Sequence, residues 1–455
     1  MEFKKIYIGI SIIFFIGIFF YTLYKYKKVV KKINIININD ALINSIICII
    51  PVLNIFPESG TLNRCISIYC IIAIIFNIII QKKDFVFNNV NKRALLEIII
   101  FYLILLLSLA IASDKNIAKT IFLQQIQYVL IGLYLIFSNK DYKNEITIKT
   151  ILFSSTLILI PCIVQIISEN SDLGLFNIYN SNTFSGRISG PFSDSLHLTQ
   201  YLGVILAIFL GYSYKYKTNK IISIVIILLL ISLIYAQSKI GIISFLVIFA
   251  IFILFKYRKN YIAILLIILI GILILLVIFS GNLNYILQLD IFNRFNELQE
   301  SSSTRIMFWK SGISMFLDNL YGIGLGNYRV NVFQYMPLDL ITFRFSGGIV
   351  DFTKKTSTHA ESIYFTFLAE GGLQLVIMYI YLLTYNIKQQ IKIIFTEKNN
   401  YISLGLLLAW IVIMLDGITL NNFFIKPVQT QFWIIYALST NIIFNHKVIK
   451  YNNIK

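Results

Sequence analysis

Charge is scarce in this chain. Only 13% of its 455 residues are Asp, Glu, Lys or Arg, 58% are hydrophobic, and the mean hydropathy is +0.78. That balance excludes a soluble domain, whose surface must face water, and leaves a polytopic membrane protein. Acids are scarcer than bases, 21 against 39, giving a formal charge of +18. The excess Lys and Arg residues lie in short clusters between apolar spans and build no continuous basic face, which speaks against nucleic acid as a partner. Cysteine is nearly absent. Cys48, Cys65, Cys70 and Cys162 show no CxxC pairing and mostly lie inside apolar spans, where a thiol is a small hydrophobe, so no chemistry is assigned to them. A cleavable leader is not expected either, because the first apolar stretch lacks a small-residue cleavage site and runs into the basic cluster Lys25-Tyr26-Lys27-Lys28. Internal repeats and soluble appendages are missing too, so residues 1–455 read as one membrane domain.

What is present is a series of apolar stretches, each long enough to cross the hydrocarbon core as a helix: 6–24, 41–57, 62–80, 94–112, 120–138, 150–168, 196–214, 221–236, 240–255, 261–279, 360–385, 401–418 and 430–445. The expected fold is an all-α bundle of about 12 to 13 transmembrane helices. Alternate connections carry Lys82-Lys83 with Lys92-Arg93, Lys140 with Lys143, Lys215 with Lys217 and Lys220, Lys256 to Lys259, and Lys388 with Lys392. The positive-inside rule makes these cytoplasmic. The segments 169–195, 237–239 and 280–359 then face the other side of the cytoplasmic membrane. Lys4 and Lys5 do not fit this count, and the N-terminal orientation stays open.

The segment 280–359 is a polar excursion of eighty residues, far longer than an ordinary connection, and the chemistry is expected there. After Ser301-Ser302-Ser303-Thr304, the residues Ile306, Phe308, Trp309, Ile313, Phe316 and Leu317 form an apolar stripe, with Lys310, Ser311, Ser314 and Asp318 opposite. This predicts a helix lying on the bilayer surface, with Arg305 in its first turn. A cation there opposes the helix dipole, and a phosphate would compensate it. Gly322-Ile323-Gly324-Leu325-Gly326-Asn327 ends the helix in a turn where backbone can approach a neighbour closely; its spacing is not that of a dinucleotide site.

Arg187, in Ser185-Gly186-Arg187-Ile188-Ser189-Gly190-Pro191-Phe192-Ser193-Asp194, is the only basic residue between 169 and 195. For each arginine the plainer alternative is a solvated or headgroup-bound side chain, or for Arg187 a pair with Asp194. Two guanidinium groups on one side of a membrane can neutralise a diphosphate, and Lys239 can add a third charge. Among three histidines, His359 opens the span after the long loop. Thr358 and Glu361 have the spacing of a capping box, which predicts His359 as the first helical residue, neutral and able to accept a proton. The bland alternative makes Glu361 only a cap and His359 only a loop-end polar residue. Glu370 lies inside a span, where a carboxylate is costly without a partner, so it is expected to support neighbouring backbone or an arginine. The extracytoplasmic segments hold no Asp-x-Asp pair and no His cluster of zinc spacing, so neither a metal nor another cofactor is expected.

Arg305 with Phe308-Trp309, the turn around Gly324, His359 and then Leu368-Ala369-Glu370-Gly371-Gly372, preceded by Gly186-Arg187-Ile188-Ser189-Gly190-Pro191-Phe192 and Ser238-Lys239-Ile240-Gly241, together resemble the motifs of the O-antigen ligase and polymerase superfamily. The likeness covers residues 185 to 375. Two positions depart from it: Lys239 stands where the family usually has Arg, and Ala360 where it commonly has Asn. The resemblance implies metal-independent, inverting glycosyl transfer outside the cytoplasmic (inner) membrane. The donor would be an oligosaccharide on a polyprenyl diphosphate and the acceptor a glycan hydroxyl. Arg187 and Arg305, with Lys239, would bind the diphosphate, and His359 would take the acceptor proton. Glu370, Glu361 and Gly324 would support them. A polymerase is favoured over a ligase to lipid A core, with a chain-length regulator, a flippase and membrane lipids as partners. A lipid-linked glycan transporter is the alternative of another class, but it should show repeats and polar midplane residues, and apart from Glu370 the spans are poor in these.

Overall fold

A computed structural model describes residues 2–30, 34–56, 59–80, 92–169, 173, 175, 187–215, 220–256, 269, 271, 298–335, 359–397 and 400–452. These residues form α-helices: α1 (Glu2–Val30), α2 (Ile35–Ile49, continued as a 3-10 helix Ile50–Ile55), α3 (Ser59–Ile80), α4 (Lys92–Ala110), α5 (Lys115–Phe137), α6 (Asp141–Ser168), α7 (Ser195–Lys215), α8 (Lys220–Tyr235), α9 (Lys239–Lys256), α10 (Leu298–Asp318), α11 (Tyr328–Tyr335), α12 (Ile363–Thr396), α13 (Tyr401–Thr419) and α14 (Lys426–Asn452). Among the described residues ten are long and apolar enough to cross a membrane; α8 is apolar but shorter. The chain is thus a polytopic all-α membrane protein. The stretch expected at 261–279 lies outside the described residues, apart from residues 269 and 271.

Polar residues set the helix starts. Asn34, Asp114 and Asn400 each accept backbone N–H groups in the first turn of α2, α5 and α13. Asp194 does the same for α7, accepting from the Leu196 N–H at 2.8 Å. With no hydrophobic drive between helices in lipid, close approach depends on small residues and buried polar contacts. A Cβ on Gly211 of α7 would lie 2.5 Å from the Gly405 Cα of α13, so these two glycines let α7 and α13 meet at backbone distance. Trp410 of α13 donates its indole N–H to the Ser439 hydroxyl of α14 at 2.8 Å and meets Phe432 edge to face, and Phe432 continues the edge-to-face cluster through Phe423 and through Trp433 to Phe101 and Tyr436.

The connections gather at two ends of the bundle. One end holds Asp40 paired with Lys143, Lys215 bonded to Tyr401, and His446 bonded to Glu397. It carries the lysine-rich starts and stops of the helices. The other end brings together the turns at 110–114, 187–194, 236–238, 322–327, 359–362 and 420–425. Since Lys25, Lys27 and Lys28 close α1, its first residues lie toward this second end.

α12 is one long helix with a break. Gly372 has φ +66° and ψ −171°, which interrupts the hydrogen-bond ladder and releases the carbonyls of Ala369 and Glu370. The glycine turn docks there: the N–H groups of Ile323 and Gly324 donate to these carbonyls at 2.8 and 3.0 Å, and the Ser108 hydroxyl of α4 also donates to Glu370 O.

Candidate functional site

The glycine turn needs its glycines. Gly322, Gly324 and Gly326 all have positive φ, and a Cβ on Gly324 would fall 2.2 Å from the Ala112 Cα, inside any permitted contact. The close neighbour expected from the sequence is therefore the α4–α5 connection. Asn327 completes the lock, accepting from the Ser113 hydroxyl at 2.9 Å and the Asp114 N–H at 2.8 Å.

Glu370, fully buried in α12, aims its carboxylate at this turn. Its Oε2 accepts from the Gly326 N–H at 2.7 Å and its Oε1 from the Tyr328 N–H at 3.2 Å. Two charge-assisted bonds of this kind offset the cost of placing an acid in a dry span, and they fix the first residue of α11. Tyr328 in turn donates its hydroxyl to the Phe308 carbonyl of α10 at 2.7 Å, one turn beyond Arg305. So a carboxylate inside the membrane sets the placement of two helices of the long polar segment.

α10 differs from the sequence-based expectation in two ways. It begins at Leu298, so Arg305 sits two turns inside rather than in the first turn. Its buried face is Phe308, Ser311, Gly312 and Met315, packed on α12, while Ile306, Ile313 and Leu317 point outward. The stripe read from the sequence mixed these faces: Trp309 stacks on Phe365 at 5.1 Å, and the Gly312 position lets the Phe365 backbone come close.

Arg305 meets Glu361. Its Nε donates to the Glu361 carboxylate at 2.9 Å, with side chains 30% and 33% exposed. No other partner of Arg305 occurs among the described residues, so among them the Nη edge of the guanidinium, the edge suited to a bidentate grip, is left unpaired. Glu361 is not a capping residue. It has φ +49°, α12 begins only at Ile363 behind Ser362, and His359 precedes the helix instead of opening it. Thr358 lies outside the described residues.

His359 stacks on Phe424 at a centroid distance of 5.9 Å and 18° between planes, and its Nδ1 is buried with no hydrogen-bond partner among the described residues. Burial, then the nearby positive charge of Arg329 and the neighbouring His197, push its imidazole down to about 4. At neutral pH it is a neutral imidazole, able to accept a proton.

Arg187 and Lys239 form the other side of this end. Arg187 Nη2 donates to the Gln237 carbonyl at 2.9 Å, two residues before Lys239 opens α9. Asp194 is engaged with the start of α7, not with Arg187. The loop bearing Arg187 leads into α7, whose His197 reaches the electrostatic neighbourhood of His359. The structure thus joins Arg305 to Glu361, two residues along the chain from His359, and places Arg187 beside the Lys239 turn, while His197 of α7 lies within electrostatic reach of His359. Neither His197 nor Arg329 is marked by a sequence motif. For Arg329 the available signal is its place just after the glycine turn.

No curated protein matches the chain. Residues 224–380, about a third of it, match the family model described as O-antigen ligase. That segment takes in Lys239, Arg305, the glycine turn, His359, Glu361 and Glu370, and that family is what this part of the chain is similar to.

Proposed function

We propose that this protein is a glycosyltransferase of the extracytoplasmic membrane face that joins polyprenyl-diphosphate-linked oligosaccharides into a surface polysaccharide. The observation that carries the reading is the guanidinium edge of Arg305, unpaired among the described residues and held by Glu361, two residues from an unprotonated, partly buried His359. The family match adds the reaction type, a ligase or polymerase step in O-antigen synthesis. The lysine-rich opposite end of the bundle supports the outward orientation.

In this reading the donor's diphosphate lies against Arg305, with Arg187 and Lys239 supplying further positive charge. The acceptor hydroxyl attacks the anomeric carbon as the sugar–phosphate bond breaks, so the carbon inverts and the electron pair leaves on the diphosphate. Preorganised guanidinium stabilises the charge that develops there, and His359 takes the hydroxyl proton. A diphosphate held by arginines needs no divalent ion to leave.

The acceptor is another lipid-linked repeat unit for a polymerase and lipid A core for a ligase; the departures at Lys239 and Ala360 favour the polymerase, the more varied group. Glycan length on a gel tests this in cells carrying Arg187→Ala, Arg305→Ala or His359→Ala. A polymerase gives single repeat units still attached to core, a ligase leaves core bare, and a transporter traps lipid-linked units inside. Normal long chains in all three variants would overturn the reading.

A further inference from the structure

At this end of the bundle the guanidinium of Arg329 has no hydrogen bond or ion pair among the described residues, although its Nε is buried. Leaving a buried guanidinium N–H unsatisfied is costly unless something else meets it. Its position is rigidly built. It follows Tyr328, whose N–H is held by Glu370 and whose hydroxyl is held by the Phe308 carbonyl one turn from Arg305. Val330 and Asn331 both donate to the Asn327 carbonyl, so the first turn of α11 is formed around it. Tyr328 also lies within the electrostatic reach of Glu361, the partner of Arg305. The frame therefore fixes Arg329 directly after Tyr328, within electrostatic reach of His359.

We propose that Arg329 binds the donor's diphosphate beside Arg305, as a further guanidinium of the site. This rests on the donor class proposed above and deepens it. Arg305 offers its Nη edge because Nε is taken by Glu361, and Arg329 adds a second guanidinium, so each phosphate of a diphosphate meets its own guanidinium. A consequence concerns the base. The groups that act on His359 are Arg329 on α11 and His197 on α7, with the Glu361–Arg305 pair two residues along its own loop. A diphosphate on Arg329 cancels the positive charge that disfavours imidazolium, so His359 gains proton affinity only when the leaving group is in place.

The test uses the purified full-length chain in detergent, with a short polyprenyl diphosphate and the matching monophosphate as probes. Arg329→Gln is expected to bind the diphosphate about tenfold more weakly, the loss of one charge-assisted contact, and Arg329→Lys to retain most of the affinity. Since Arg329 makes no hydrogen bond or ion pair among the described residues, both variants should stay close to the wild-type melting temperature; should Arg329→Gln fail to fold, Arg329→Lys still reports through a smaller loss. A second readout is the pH midpoint for diethylpyrocarbonate labelling of His359 in a His197→Gln, His446→Gln background: it should rise in Arg329→Gln, and in Arg329-intact protein on adding the diphosphate. Wild-type affinity in Arg329→Gln alongside weakened binding in Arg305→Gln would overturn the role of Arg329 and leave the donor assignment standing. Equal affinity of the wild-type chain for mono- and diphosphate, unchanged in Arg305→Gln, would overturn both.

Discussion

Arg305 and Glu361 are 56 residues apart in sequence and 2.9 Å apart in space, and the pair is what ties the long polar segment to the entrance of α12. Glu361 adopts a left-handed backbone to reach it. A non-glycine residue in that region costs of order 1 kcal/mol or more, so the contact is held by its surroundings against a local preference.

Replacing Glu361 should therefore affect substrate more than stability. The pair is about one-third exposed, and exposed pairs contribute roughly 0–1 kcal/mol. Glu361→Ala is expected to shift the melting temperature little and to raise KM for the lipid-linked donor about tenfold, because Arg305 loses the bond that orients its Nη edge. Steady-state kinetics with melting curves check this.

Glu370 predicts the opposite balance. Glu370→Ala leaves the Gly326 and Tyr328 N–H groups buried and unsatisfied, at about 1–3 kcal/mol each. The expected outcome is a clear loss of thermal stability together with loss of transfer, since α11 and the Arg305 turn of α10 lose their common anchor. Glu370→Gln, which keeps one acceptor oxygen, should fall between.

Gly324→Ala joins a φ of +100° to a collision with Ala112 Cα. The turn has to move away from α4 and α5, so transfer should fall and the melting temperature should drop. Ala112→Gly in the same chain removes the Ala112 methyl, 2.4 Å from the new Cβ, and should restore part of the stability, though the positive φ and the backbone contact remain. A melting series of the two single variants and the double variant measures the coupling.

The pH profile follows from the sign of the His359 shift. Its conjugate acid is pushed down to about 4, so the base is present above that pH and is lost as pH falls through it. The acid limb of kcat/KM, which reports the free enzyme, should lie near 4. The acid limb of kcat should lie higher, because the bound diphosphate stabilises imidazolium. An acid limb of kcat/KM at the ordinary histidine value would contradict the burial and charge described around the ring.

The spans were legible because crossing a membrane demands little beyond a sufficiently long apolar run, and α1 to α9 and α12 to α14 follow those runs. Glu370 was legible for a related reason: an acid in such a run needs a partner, and the turn around Gly324 is that partner. Local motifs misled where a distant residue competed. The Thr358 to Glu361 spacing suggested a capping box, but Glu361 is claimed by Arg305, and α12 starts at Ile363 instead of at His359. The stripe on α10 failed because Ile306, Ile313 and Leu317 can stay outward where the surroundings are apolar, so hydrophobicity does not mark the protein-facing side there. Arg329 and His197 belong to no pattern. Only the fold, through Tyr328 and the start of α7, brings them to His359.

The most direct measurement is transfer by the purified protein, with a polyprenyl-diphosphate oligosaccharide as donor and EDTA present, comparing wild type with His359→Ala and Arg305→Ala at equal folded concentration. The predicted result is elongated glycan from the wild type, and a loss of about a hundredfold or more in each variant, the scale of a general base or a charge-stabilising contact. Elongation by both variants at the wild-type rate, or a wild-type reaction that stops when divalent ions are chelated, would contradict it.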